Sequence, residues 1–185
     1  SYGHSMLSVL GTYADKLIIA PLFGYSFLGN YQLSFQILMI LTMISGIVFT
    51  YLLPQEASGK PHRKLWLITI LIIIVSSILT IVLAPSVLPI LMPKYVPAID
   101  LIQIMSIAAV SMTITLRYTS KFLANEKSKI VIIGKAIYLS SHMIGIFSIG
   151  TIFGIQGVAI SFVIASSIEA IYFVTVNRIL DNKNK

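Results

Sequence analysis

Residues 65–84 read LWLITILIIIVSSILTIVLA, and no charged side chain interrupts the chain from Leu65 to Pro93. About 20 apolar residues suffice to cross a ~30 Å hydrocarbon core as a helix. This one stretch therefore sets the class of the whole molecule. Two longer uncharged stretches, 17–55 and 136–168, each need an internal turn. FGYSFLGN at 23–30 and GTIFGIQG at 150–157 supply it, being rich in glycine and aromatic residues. A membrane barrel would show ten-residue segments of strict alternation instead, and none is present. The composition agrees: 57% of the 185 residues are hydrophobic and 10% charged, with a mean hydropathy of +0.94. Ordinary soluble domains are about a quarter charged.

The reading is an all-α integral membrane protein, one six-helix bundle over residues 1–185. Helices are expected at about 4–22, 28–52, 65–84, 98–121, 129–149 and 156–179. Pro85, Pro89, Pro93 and Pro97 are expected to make the segment after the third helix irregular. The longest polar loop, PQEASGKPHRK at 54–64, leaves no room for a soluble domain. The first stretch lacks the basic start and processing site of a signal peptide.

Loop charges orient the bundle. Lys60, Arg63, Lys64, Lys121, Lys127, Lys129, Arg178, Lys183 and Lys185 fall on one side, and only Lys94 on the other. The positive-inside rule then places both termini in the cytoplasm. The same bias accounts for most of the formal charge of +7, so contact with lipid headgroups is expected and nucleic acid is not. The absence of cysteine excludes disulfides, thiolate metal sites and cysteine nucleophiles. His4, His62 and His142 lack metal-ligand spacing. No phosphate-binding loop, paired carboxylates or Ser/His/Asp arrangement is present, so neither catalytic residue, metal nor cofactor is expected.

Five ionisable residues remain within the expected spans: Asp15, Lys16, Arg117, Lys135 and Glu169. Each costs about 2.5–3.5 kcal/mol at the centre of an isolated helix, so each should face protein or a water-filled cavity. Arg117 lies one turn before Lys121, and snorkelling to the headgroups competes evenly with a cavity role for it. The last two helices form a hairpin that can bring Lys135 and Glu169 to one depth as an ion pair, a reading slightly ahead of ligand binding. His142 reads as a hydrogen-bonded packing residue. Three cations against two carboxylates favour an anionic substrate group such as phosphate or pyrophosphate, with Lys16, Arg117 and Lys135 as its contacts and Asp15 and Glu169 as their charge partners.

Two stretches carry a family resemblance. DKLIIAPLFGYSFLGNYQLSFQI at 15–37 resembles the start of the second half of polysaccharide-biosynthesis flippases. There an acidic-basic pair, here Asp15-Lys16, precedes a short turn and a Gly-x-Tyr opening, here Gly29-Asn30-Tyr31. LAPSVLPILMPKYVPAIDLIQIMSI at 83–107 resembles the family's proline-containing helix end followed by a Tyr and an Ala-led helix, here Pro85, Tyr95, Ala98 and Leu101. KFLANEKSK at 121–129 is similar to the family's short basic turn. The proline-rich segment is more broken than the family pattern.

These flippases belong to the multidrug/oligosaccharidyl-lipid/polysaccharide exporter superfamily, whose two six-helix lobes, 12 to 14 spans in all, face a central cavity. The resemblance implies a C-terminal lobe that partners an N-terminal lobe of the same protein. It further implies alternating access, with a polyprenyl- or dolichyl-pyrophosphate-linked oligosaccharide carried across the cytoplasmic membrane of a bacterium or archaeon for surface polysaccharide biosynthesis. A cation-coupled multidrug or metabolite antiporter of the same fold is the alternative, and it calls for a carboxylate cluster. A membrane-embedded glycan polymerase or ligase calls for a large polar external loop, which the sequence lacks. A non-transporting scaffold leaves the intramembrane charges unexplained.

Overall fold

The computed structural model describes residue 16, residues 18–57 and residues 63–183. Asp15 and most of the expected first span lie outside the described residues. The described residues are helical apart from short turns. A first helix, α1, is described at residues 16 and 18–23 and is followed by α2 (Tyr25–Ala57) and α3 (Arg63–Leu91). A short 3-10 segment, Pro93–Ala98, leads into α4 (Ile99–Ala124). Then come α5 (Ser128–Gly145), one π-turn at Ile146–Gly150, and α6 (Thr151–Lys183). Four stretches are long and apolar enough to cross a membrane: Tyr25–Gln55, Lys64–Leu91, Pro93–Ala124 and Ser128–Asn182. The last runs to 55 residues, far beyond what one crossing needs.

Two glycines reverse the chain. Gly24 has φ +90° and separates α1 from α2; its N–H donates to the Ala20 carbonyl and its own carbonyl accepts from Leu28. Along one straight helix Lys16 and Phe35 would stand about 28 Å apart. The Lys16 ammonium instead lies 4.5 Å from the Phe35 ring, so the chain doubles back at Gly24. Gly154, at φ +61° and ψ −142°, does the same inside Ser128–Asn182. Backbone at positive φ is cheap only for glycine. On either side of Gly154, Gly134 meets Phe173, Gly145 meets Ser161 and Gly150 meets Val158. Partners that step inward in concert are the register of an antiparallel hairpin. Ser128–Asn182 is therefore two packed arms.

The expectation of an irregular segment from Pro85 onward is corrected. Helix α3 runs through both Pro85 and Pro89 to Leu91, and only Met92–Ala98 leaves α-helical geometry. A proline interior to a helix removes the donor to the carbonyl four residues back. For Pro85 that carbonyl belongs to Ile81, and the Gln103 side-chain amide donates to it from α4 at 2.8 Å. In lipid such a carbonyl has only protein to bond, and a polar side chain from a neighbouring helix is a standard remedy.

Helix α4 is the hub, packed against α2, α3 and α6. Its buried face is built from Leu101, Met105, Ser106, Ala108, Ala109, Thr113 and Thr119. Small side chains let helix backbones approach closely where lipid offers no hydrophobic drive for association. Ser45 of α2 hydrogen-bonds Thr113 at 2.8 Å, and Ser111 hydrogen-bonds Ser167 of α6 at 3.1 Å. By contrast α3 buries only a narrow stripe, Trp66, Thr69, Ile73, Ser77, Ala84 and Leu88, and exposes large aliphatic residues around the rest of its circumference. An apolar surface of that extent suits contact with hydrocarbon and not with water.

The turns alternate between two ends. Gly24, Met92–Ala98 and Gly154 lie at one end, called here the turn end. The 125–127 turn and the C-terminal part of α6 lie at the other, with Lys64, Lys127, Lys129 and Arg178, the basic end. Helices α4 and α6 are fastened at both. At the basic end the Lys121 ammonium donates to Asn177 Oδ1 at 2.6 Å and pairs with Asp181 Oδ1 at 3.1 Å. At the turn end Gln156 Nε2 donates to Asp100 Oδ2 at 2.9 Å.

Gln103→Ala should lower stability by about 1 kcal/mol, by stranding the Ile81 carbonyl. In a Pro85→Ala background, where residue 85 regains its N–H, the same substitution should cost nothing measurable. Denaturation midpoints of the four proteins in detergent read this cycle; additive effects would show that Gln103 does not compensate for the proline.

Candidate functional site

The bundle is packed tightly toward the turn end and parts toward the basic end. Ile19, Tyr31, Leu38, Met105, Ile146, Val158 and Phe162 form a continuous buried cluster in the first half. Beyond it α2 and α6 scarcely touch, and α4 forms the floor between them. The result is a half-open cleft of about 720 Å³ bounded by α2, α4, α5 and α6. It reaches from Phe35, Tyr138 and Phe162 at mid-depth to Thr50 and Thr119 near the basic end. At 1.5 Å per residue, Thr119 is only about 8 Å from the end of α4.

The lining is mixed. Met39, Met43, Phe49, Met112 and Leu116 line it from α2 and α4, interleaved with Thr42, Thr50, Thr115 and Thr119 on the same two helices. Lys135 of α5 and Ser166 and Glu169 of α6 line it from the other side. Thr42 returns its proton to the Leu38 carbonyl at 3.0 Å, the usual fate of a helical threonine in lipid. The Thr115 and Thr119 hydroxyls are buried and have no hydrogen-bond partner among the described residues. They stand four residues apart and so share one face of α4.

Lys135 and Glu169 meet across the α5–α6 hairpin, with Nζ 2.9 Å from Oε1. The pairing anticipated from the hairpin is present. The local cause is visible one residue earlier: Gly134 has no side chain, so Phe173 seats against it and the two arms close. Glu169, one turn before Phe173, then lies beside Lys135. The lysine keeps 26% of its side-chain surface exposed and the glutamate 4%.

An aromatic group closes the mid-depth end. The Phe162 ring stands edge-on to Phe35, Tyr138 and His142, with centroids 5.5 to 6.0 Å apart. His142 is fully buried and its Nδ1 lies 3.2 Å from Ser161 Oγ. Ser161 gives its own proton to the Val158 carbonyl at 2.8 Å, so the histidine is the donor between the two. His142 is a packing and hydrogen-bonding residue, as its isolation in the sequence suggested.

The other charges anticipated within the spans separate. Lys16 stands over Phe35, at the edge of the cleft. The Arg117 guanidinium lies 5.6 Å from the ring of Tyr118, and Arg117 is not part of the cleft lining. The shared face of Arg117 and Lys121 carries Lys121 to Asp181 instead of to the cleft. Among the described residues no three His, Asp or Glu side chains gather as metal ligands. Sequence reasoning missed Thr115, Thr119, Ser166 and the methionines of the lining. Serine and threonine are scattered through every span, and nothing in their spacing separates those facing a cleft from those bonding their own helix.

Comparison with family models, with curated proteins and with solved structures finds no match to this chain.

Removing one member of the pair should not be symmetric. Lys135→Ala leaves an almost buried carboxylate without its cation and should cost about 3 kcal/mol; Glu169→Ala leaves a partly exposed ammonium and should cost about 1 kcal/mol. Lys135→Met combined with Glu169→Met should recover most of the loss. Denaturant titration in detergent reads all three, and equal losses from the two single substitutions would contradict the burial asymmetry.

Proposed function

We propose that this chain is one lobe of an alternating-access carrier that moves a polyprenyl- or dolichyl-pyrophosphate-linked oligosaccharide across the cytoplasmic membrane for surface polysaccharide biosynthesis. The observation that carries the reading is the mixed lining of the cleft. A cation and hydroxyls in it suit an anionic, hydroxyl-rich headgroup. The methionines and phenylalanines among them suit an acyl or prenyl chain, methionine above all because it adapts its shape. A cleft packed shut at one end and parted at the other is one half of what rocking between two lobes requires. The positive-inside rule puts the parted end in the cytoplasm, where lipid-linked sugars are assembled and loaded. In this reading Lys135 contacts the headgroup, Lys16 lies within reach along the cleft edge, and Arg117 serves the headgroup layer. The cleft would face a second, N-terminal lobe.

Cation-coupled antiport on the same fold is favoured by one observation, the carboxylate of Glu169 in the cleft. Its pairing with Lys135 weighs against it, since a lone carboxylate already holding an ammonium offers little to a free cation. The turn-end segments Gly24, Met92–Ala98 and Gly154 are too short to house the external catalytic loop of a glycan polymerase.

Reconstituted into proteoliposomes, the intact protein should move a fluorescent polyprenyl-pyrophosphate-linked sugar between leaflets, and Lys135→Gln should slow the movement by roughly tenfold or more, the scale of one lost charge-assisted contact. Movement no faster than in protein-free vesicles, or an unchanged rate with Lys135→Gln, would overturn the proposal.

A further inference from the structure

The ion pair is unequal in its access. Lys135 is a quarter exposed while Glu169 is almost sealed, although both border the same cleft. Beside them Thr115 and Thr119 present two buried hydroxyls with no partner among the described residues. Ser77 on α3 is in the same position, but only Thr115 and Thr119 also line the cleft, where a bound ligand or water would meet them. An accessible ammonium, two idle hydroxyl donors and one carboxylate already seated on the ammonium form an anion site that its own protein occupies.

We propose that Glu169 is an internal competitor for the anionic group of the ligand. A phosphate or pyrophosphate oxygen takes Lys135 from Glu169, Thr115 and Thr119 donate to the same group, and Glu169 accepts a proton as it is released. The substrate class rests on the carrier reading above. The balance is simple: a neutral ammonium–carboxylate pair takes up one ligand charge and one proton from water. It becomes an ammonium–phosphate pair and a neutral carboxylic acid, and only the O–H bond on Glu169 is new. The proton is needed because a carboxylate left uncompensated in so closed a position costs several kcal/mol. Anion binding and proton uptake are thereby one event.

The groups around Glu169 leave it as the one that couples. On α5, Lys135 is its partner, Tyr138 lines the cleft beyond, and His142 is held by Ser161 two turns away from Lys135. Among the described residues, the faces that α2 and α4 turn to the cleft carry hydroxyl, thioether and hydrocarbon groups only. Tyr172 is close on α6 itself, and Lys16 of α1 lies over Phe35.

The experiment measures binding of farnesyl pyrophosphate and of inorganic pyrophosphate to the intact protein in nanodiscs, between about pH 7.5 and about pH 8.5. Wild-type affinity should fall by up to about tenfold across that unit, the slope of one linked proton. Glu169→Gln should bind about tenfold or more tightly at the upper pH and lose the slope. Lys135→Gln with Glu169→Gln should not bind, and Lys135→Arg with Glu169→Gln should. Thr115→Val with Thr119→Val keeps the pair and should weaken binding with the slope intact, so the proposal is tested even where Glu169→Gln does not fold. Tighter binding of farnesyl pyrophosphate than of pyrophosphate by Glu169→Gln marks a lipid headgroup as the source; equal binding marks a free anion, and either supports the exchange. Glu169→Gln binding no tighter than wild type, or keeping the slope, overturns it. Flipping that persists alongside a flat wild-type pH response sinks the exchange alone. The exchange signature without flipping sinks the carrier reading alone.

Discussion

In hydrocarbon a polar group can bond only to protein, and this constraint shapes every level of the molecule. It makes the described chain helical from end to end, because a helix satisfies its own backbone. It also explains the departures from regularity. The carbonyl that Pro85 strands is met by Gln103, and the hydroxyls of Thr42, Thr69, Thr80 and Ser106 return to carbonyls of their own helices. Lys135, carried on a span, meets Glu169. Against so consistent a pattern, the hydroxyls of Ser77, Thr115 and Thr119 are buried and meet nothing among the described residues, and of these only Thr115 and Thr119 border the cleft.

The same constraint governs how the helices are joined. Helices α4 and α6 are joined by a charge cluster at the basic end, by Ser111 and Ser167 along their length, and by Asp100 and Gln156 at the turn end. Helix α5 is seated on α6 through glycines. These three form one wall and the floor of the cleft. Helix α2, the opposite wall, is held to α4 by an extensive apolar seam, by the Ser45–Thr113 bond and by Ser34 donating to the carbonyl of Ala98 at the start of α4, and it diverges from α6. Helix α2 is packed on α4 as extensively as α6 is, so the cleft opens because α2 and α6 lean apart on the two sides of α4.

Much of this was legible from residue order alone. Charge-free runs mark the long helices, and glycine clusters mark the reversals, because hydrophobic length and glycine torsions are local properties. The meeting of Lys135 and Glu169 was legible too, since a hairpin with a known turn fixes which residues share a depth. The path of α3 through Pro85 and Pro89 was not. Whether a proline ends a helix depends here on a donor 22 positions along the sequence from the stranded Ile81 carbonyl, and only the packing of α4 on α3 brings Gln103 there. Arg117 was equally undecidable, since its helix face is known from spacing but the neighbour that face meets is not. Thr115 and Thr119 carry no local mark at all; what distinguishes them is a buried hydroxyl beside the cleft with no partner among the described residues, a property of the whole fold.

The depth and asymmetry of the ion pair bear on why a membrane protein would keep it. Two matched apolar residues would pack at least as well, since a buried pair repays its desolvation only with good geometry. Here the burial is split: the carboxylate is sealed into the α5–α6 hairpin while the ammonium reaches into a cleft with room for a ligand. That division keeps Glu169 from wandering and leaves Lys135 approachable, so the cation is stabilised when the cleft is empty and remains available when it is not. A charge arranged in that way is expensive as architecture and economical as a binding site.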